Sequence, residues 1–313
     1  MSSAAKPLRV GVIGTGALGR HHVRILSSLP NVELVGIFDI RSEVCATVAA
    51  EFGSRCFPDL ESLATGIEAV VVAVPTTDHA KVGCPLLQSG IHVLVEKPIA
   101  SNLAEADRLV QAVGDSVLSV GHVEFYNPAV EQLLAIEQRP GFIEVHRLAA
   151  FSPRSLDVDV VLDLMIHDLQ ILHALDDSPV AEVRATGISV LSDRIDIANA
   201  RIALTSGCVA NLTASRVSAE RVRKLRAFLP SRGYYSVDYQ DQEIKGFRLA
   251  QRGSERQIVP DPLEVVKQEP LKRELECFVA ACRRQPTRLV DGIQGRRALK
   301  TALRVLRAIA EVG

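Results

Sequence analysis

The chain has no tryptophan and only four tyrosines, so it carries little on which nucleobases could stack, and recognition of single-stranded nucleic acid is disfavoured. It lacks an excess of charge of either sign, because 36 basic residues face 37 acidic ones. No global field therefore draws it to nucleic acid or to anionic lipid. Long apolar runs are missing as well. The stretch Ala69 to Val74 is far too short to span a bilayer, and the opening MSSAAKPLRV has no apolar run ahead of the first strand, which points to an untargeted, cytoplasmic protein with no membrane partner. The cysteines at 45, 56, 84, 208, 277 and 282 include no Cys-x-x-Cys pair and no neighbouring histidine at zinc spacing. No metal site is expected, and all six should be reduced, buried fillers of apolar space.

What is present is an ordinary globular composition, 47% apolar and 23% charged over 313 residues, enough for about two domains. From Leu8 to Val120, short apolar runs alternate with segments of helical period. That alternation predicts a doubly wound parallel sheet with both faces covered. Strands are expected at Leu8 to Ile13, Val32 to Phe38, Ala69 to Val74, His92 to Val95 and Val117 to Val120. Helices should fill Leu18 to Leu29, Arg41 to Phe52, Thr77 to Gln88 and Leu103 to Val113. After His122 the texture changes to Asn-Pro and Arg-Pro-Gly turns, alternating strands and a helix near Val160 to Leu175. This reads as a second α/β domain with a large open, mostly antiparallel sheet whose bare face invites a sheet-to-sheet homodimer or homotetramer. Two helices, Pro270 to Arg283 and Asp291 to Ile309, should close the chain. The domains would be 1–122, binding a dinucleotide, and 123–313, binding substrate and forming the oligomer.

The first strand runs into Gly14-Thr15-Gly16-Ala17-Leu18-Gly19. In this spacing the first glycine permits the tight turn, the second lets backbone approach a pyrophosphate, and the third lets helix pack on strand. Anion binding then uses the free amides at the helix start. Asp39, at the end of the second strand, can accept from the adenosine ribose hydroxyls and would repel a 2′-phosphate, favouring NAD. Arg41, two residues on, could offset that repulsion. Pro75 and Thr76 leave the third strand directly and are further cofactor-contact candidates, with His79 either beside the same site or structural. His21 and His22, on the helix after the loop, could approach the pyrophosphate but are expected on an exposed helix face.

Glu96-Lys97-Pro98 places Lys97 at the carboxyl edge of the sheet, where it is either a solvated strand-end lysine or a proton-handling group on a substrate hydroxyl. Asp163, His167 and Gln170 share one helical face, so His167 beside a carboxylate is either a general base or half of a structural hydrogen bond. Arg216, Arg221, Arg223, Lys224 and Arg226 could cradle a diphosphate or line a solvated strand edge.

The glycine loop, Asp39, Glu96-Lys97-Pro98, Gly121-His122 with Asn127-Pro128, and Asp163-x-x-x-His167 together resemble the Gfo/Idh/MocA oxidoreductase family over essentially the whole chain. The resemblance implies an N-terminal Rossmann domain, oxidation of a sugar or cyclitol hydroxyl with NAD, and Lys97, Asp163 and His167 at the reacting carbon. It adds Glu96 and Lys97 to the cofactor contacts and Asn127 to the substrate contacts. A narrower likeness, carried by Val145 to Leu148, Phe151 to Ser155 and Asp157 to Asp163, is to the branch that oxidises the 3-hydroxyl of UDP-N-acetylglucosamine. It implies a nucleotide-sugar substrate with Arg154 among its contacts. A glycosidase using NAD transiently, an inositol-type dehydrogenase and a non-catalytic dinucleotide sensor are the alternatives.

Overall fold

The computed structural model describes residues 6–151, 158–252 and 254–311. They divide into two compact units, Met1–His122 with Leu271–Arg296, and Val123–Pro270 with Arg297–Gly313.

The first unit begins β1 (Leu8–Ile13), α1 (Ala17–Leu26), β2 (Val32–Phe38), α2 (Ser42–Phe52), α3 (Leu60–Ala64), β3 (Ala69–Val72), α4 (His79–Gln88), β4 (His92–Glu96), α5 (Leu103–Gln111) and β5 (Leu118–Gly121). Its strands pair in the order β2-β1-β3-β4-β5, every pair parallel. The order reverses between β1 and β3, and ligands of such sheets bind at that reversal, beyond the carboxyl ends of the strands. Continuous apolar strands suit this position because both faces are covered; β3, Ala-Val-Val-Val, is buried throughout. Side-chain caps fix helix starts: Asn102 accepts from the Glu105 amide and Asp59 from the Ser62 amide.

The second unit holds α6 (Pro128–Leu134), β6 (Phe142–Leu148), a wide π-helical turn (Val161–Met165) running into α7 (Ile166–Leu175), and then β7 (Val180–Ile188), β8 (Ile197–Leu204), β9 (Val209–Ser215), β10 (Val222–Leu229), β11 (Gly233–Asp238), β12 (Glu243–Arg252) and β13 (Glu255–Pro260). Among the described residues the sheet runs β13-β12-β11-β10-β6-β9-β8-β7, with β6 and β9 parallel and the other neighbours antiparallel. One face is apolar and packed: Ile143, Val145, Ala200, Ile202, Leu212 and Leu225 meet Ile166, Leu169 and Leu172 of α7. α7 is buried from Ile166 to His173, its polar His167, Asp168, Gln170 and His173 along with the apolar side chains, so it has no solvent stripe. The opposite face carries a ladder of Phe142, Phe228, Tyr234 and Phe247, with successive ring centroids 5.6, 4.9 and 6.4 Å apart.

The chain ends with α8 (Pro270–Cys282) and α9 (Gly292–Ala310). Here the expected boundary needs correction, since 123–313 is not one body. Leu275, Phe278, Val279 and Cys282 of α8 share a core with Leu8, Val10, Ile25 and Ile37, so α8 belongs to the first unit. Asn127-Pro128, expected in a turn, instead begins α6. Asn127 is its N-cap, and Pro128 fills a first-turn position where the missing N–H costs nothing. The cysteines also depart from expectation, because Cys45 and Cys56 form a disulfide. Residues 55–57 lie along β2, with the Ile37 amide donating to Arg55 O and the Phe57 amide to Ile37 O. That pairing brings Cys56 to a Cα separation of 5.9 Å from Cys45, on the inner face of α2. Cys84, Cys208, Cys277 and Cys282 are buried and are not in a disulfide.

Candidate active site

In the first unit the strand ends gather the sequence candidates on one edge. Gly14 has φ +84°, and a Cβ there would lie 2.6 Å from Ala73 O; at Gly19 it would lie 1.8 Å from Gly14 O. Neither position admits a side chain, so the loop turns hard against β3 and α1 starts close on β1. Gly16, the N-cap of α1, makes no side-chain cap bond, and Ala17 and Leu18 beyond it are exposed. The start of α1 therefore presents free amides to solvent, which is what a pyrophosphate requires.

Asp39 lies beside this loop. Its carboxylate accepts from the Thr15 amide at 2.8 Å and from the Arg41 amide at 2.9 Å, and Arg41 Nε lies 3.2 Å away. Burial alone would raise this carboxyl, but the bonds from Arg41 and Thr15 outweigh it and hold it below the ordinary carboxylate value. Asp39 is thus an anion. Pro75 is exposed and Thr76 half-buried just past β3. These residues fit a dinucleotide: a close-approach glycine cradle, uncapped amides, and an ionised acceptor at the end of β2.

Further along the same edge, Glu96 is buried at the end of β4, with its carboxylate 2.7 Å from His22 Nε2 and accepting the Lys97 amide at 3.2 Å. Two expectations change here. His22 is wholly buried and paired with Glu96, so only His21 sits on the exposed face of α1. Glu96 holds His22 and the backbone under Lys97, leaving a structural explanation for a residue read as a cofactor contact. His79 is corrected too: it is buried, with Nδ1 3.0 Å from Pro98 O and Nε2 3.0 Å from Val74 O. Its ring braces the backbone on either side of the edge and has no nitrogen left for a cofactor. Burial, reinforced by the charge of Lys97, pushes His122 down to about 3, so this ring is neutral. Lys97 itself is half-buried at the strand end.

In the second unit Asp163 lies within the π-helical turn and His167 just past it, in the first turn of α7. The uniform α-helical spacing expected from the sequence is replaced by a wider turn at Asp163, a feature that often accompanies functional sites. Asp163 is half-buried and His167 is 8% exposed. Asn127, read as a substrate contact, is otherwise committed: its Oδ1 accepts the Ala129 amide at 3.1 Å and its Nδ2 donates to Tyr239 O at 2.9 Å. Arg154, with the rest of Ser152 to Asp157, lies outside the described residues.

The cations after Ser215 mostly have acidic or carbonyl partners. Arg226 meets Glu144 at 2.9 Å, Lys224 meets Asp238 at 3.6 Å, Arg223 meets Glu124 at 3.4 Å, and Arg216 donates to Val158 O. The solvated-edge reading accounts for Arg223, Lys224 and Arg226, but not for Arg216, which is buried.

Sequence reasoning passed over Arg147. It is 2% exposed, with Nε and Nη2 donating to the two oxygens of Asp168 at 2.8 and 2.7 Å and Nη1 to Glu124 at 2.8 Å. A signal existed, since Arg147 stands in phase with the inward-facing Ile143 and Val145 on an alternating strand.

Comparison with known proteins places this geometry. Residues 8–122 match the model of the oxidoreductase family with NAD-binding Rossmann fold, Gfo/Idh/MocA. The whole chain is 38% identical, over 96% of its own length and 97% of the relative's, to UDP-N-acetylglucosamine 3-dehydrogenase of Acidithiobacillus ferrooxidans. The chain belongs to the Gfo/Idh/MocA oxidoreductase family. It is an NAD-dependent oxidoreductase of CH–OH groups. The solved structure of that Acidithiobacillus enzyme superposes with a TM-score of 0.88 at 37% identity, covering 97% of this chain and 98% of the other. Levoglucosan dehydrogenase in complex with NADH and levoglucosan shares the Gfo/Idh/MocA fold at TM-score 0.84 and 18% identity, with 98% of each chain covered. No helix among the described residues is long and apolar enough to cross a membrane.

Proposed function

We propose that this protein oxidises the 3-hydroxyl of a nucleotide sugar, UDP-N-acetylglucosamine, at the expense of NAD. The observation that carries this reading is the end-to-end likeness, at 38% identity, to the Acidithiobacillus 3-dehydrogenase. The glycine cradle and anionic Asp39 would hold NAD, which when bound supplies the two-electron acceptor. The chain's own residues position the sugar and move a proton. His167, a neutral base near physiological pH in its unperturbed form, takes the proton of the reacting hydroxyl. Asp163, four residues earlier, orients His167 or binds a neighbouring hydroxyl. Lys97 donates to the hydroxyl oxygen and favours its deprotonated form. Arg154 is proposed as a contact to the diphosphate, where a guanidinium can bind two oxygens at once.

The working form is proposed to be a homo-oligomer in the cytoplasm, built on the bare face of the second unit's sheet. Support comes from the aromatic ladder and from a groove of about 1010 Å³ lined by Phe142, Phe228, Tyr234, Phe247, Leu249 and Ile258.

The test is NADH absorbance with UDP-N-acetylglucosamine, free N-acetylglucosamine or myo-inositol, in the presence of a trap for the ketone. The nucleotide sugar should react best, because binding energy from the remote nucleotide supports turnover at the sugar. His167→Ala and Lys97→Ala should each lose about 10²- to 10⁴-fold in turnover while NAD binding persists. Preference for inositol or the free sugar overturns the substrate assignment, and sugar release without net NADH points to a glycosidase.

A further inference from the structure

The second unit contains a buried ion cluster that does not include the proposed proton-transfer groups. Arg147 of β6 makes a fork-to-fork pair with Asp168 of α7, and its third nitrogen reaches Glu124 in the short turn Val123–Tyr126. Its guanidinium carbon lies 4.9 Å from the centre of the Tyr239 ring, and the Tyr239 hydroxyl is 3.4 Å from Asp168 Oδ1. Arg147, Asp168 and Tyr239 are all less than 5% exposed. Such clusters are poor devices for stability, because desolvating the charges offsets much of their attraction, and apolar residues of the same volume often do as well. What they add is direction: a bidentate pair fixes angles that apolar contacts leave soft.

The place where direction matters is next to the cluster. Asp168 follows His167 in the chain, and both sit in the first turn of α7, immediately after the π-helical turn Val161–Met165. A π turn changes the helix's rotational phase, and that phase sets where His167 points. Val161, Met165, Ile166 and Leu169 pack this turn into the core with apolar side chains, which resist exposure more than a small rotation about the helix axis. Polar ties flank it, from the Val160 amide to Ile195 O on one side and between His173 Nε2 and Thr301 Oγ1 on the other.

We infer that Arg147 and Asp168 are positioning residues, a clamp that fixes the phase of α7 behind its π turn and so aims His167 at the reacting hydroxyl. This rests on His167 being the base. Burial and the network bear on the clamp's own charge states. Burial opposes the charge of Arg147, but Asp168 and Glu124 outweigh it and hold the guanidinium protonated far beyond its ordinary range. The cation is permanent, whereas at Asp168 burial outweighs the pull of Arg147 and raises that carboxyl above its ordinary value.

The experiment measures kcat, KM for UDP-N-acetylglucosamine, NAD affinity and melting temperature for Arg147→Lys, Asp168→Asn and His167→Ala. Misaiming a reacting group by about 1 Å can cost on the order of 100-fold in rate. Arg147→Lys keeps the charge and loses the fork. It and Asp168→Asn should therefore lose about 10- to 100-fold in kcat, with KM and NAD affinity within about twofold of wild type. A merely structural role would lower melting temperature and scale all the kinetic constants with the folded fraction. Wild-type kcat in folded Arg147→Lys or Asp168→Asn, or losses that track only the folded fraction, overturns the inference. If neither variant folds, Tyr239→Phe removes only the bond to Asp168; a fall in kcat alone supports the clamp, and wild-type kcat rejects it. His167→Ala separates the premises: wild-type turnover there removes the base, whereas its inactivity beside fully active clamp variants removes only the clamp.

Discussion

Asp39 joins three tasks in one carboxylate: it ends β2, ties down the Thr15 amide, and holds Arg41 beside the glycine loop. Because it is anionic in the folded chain, it is equipped to accept from a ribose and to repel a phosphate in the same place. Asp39→Ala should weaken NAD binding by about 10- to 100-fold, as expected for losing hydrogen bonds to a charged group, and NADP binding much less. Titration of both nucleotides into wild type and variant checks this, and a wild-type preference for NADP refutes the role. Gly14, Asp39 and Lys97 were legible in the sequence because spacing after an apolar strand fixes where they fall. Asn127, His22 and His79 were not. Their partners lie 112, 74 and 19 residues away, and no local pattern announces a hydrogen bond made across the fold.

Among the elements, β1 and β2 begin and end where the sequence places them, since each is an apolar run broken by a single charge near its start, Arg9 or Glu33. β11, β12 and β13 escaped notice because their alternation is diluted by charge and glycine, and β13 is mostly exposed. The π-helical turn has no sequence signature at all.

The junction of α7 with α9 shows what such hidden contacts do. Thr301 donates to Arg297 O, so its oxygen is left to accept from His173 Nε2 at 2.8 Å, and the histidine is neutral with its other nitrogen bare. Burial, aided by Arg297, pushes His173 down from 6.5 to about 4. The folded value is the lower one, so the unfolded chain takes up the proton first as pH falls. Stability contributed by His173 is intact above pH 6.5 and is lost between 6.5 and about 4, by up to about 1.4 kcal/mol per pH unit. Thermal melts at pH 7.5 and pH 5 should show a smaller acid-induced drop in His173→Gln than in wild type. Equal drops would mean that this junction does not sense protons. His122 titrates in the same direction in the first unit, so the comparison between proteins, not the wild-type drop alone, isolates His173.

At the scale of the whole molecule, the second unit offers a broad apolar surface: Phe228, Phe247, Leu249 and Ile258 are 39%, 40%, 55% and 77% exposed. A soluble chain rarely leaves such a patch bare. Phe228→Glu places a charge in the middle of the aromatic ladder. It should reduce the mass measured by light scattering to that of one chain while NAD affinity is retained. An unchanged mass would rule out this surface as the subunit contact.

The path of the chain through its two units bears on how the protein is made. The glycine loop and Asp39 leave the ribosome well before α8, yet the core beneath them is closed by Leu275, Phe278 and Val279 of α8. Synthesis runs from the amino end at about 5–20 residues per second, so the nucleotide-binding half waits, unsealed, for roughly ten to fifty seconds while everything between is translated. The nucleotide-binding unit is thus begun long before its core can be closed. Throughout that interval Leu8, Val10 and Ile37 lack their final cover, and it is α8 that brings it.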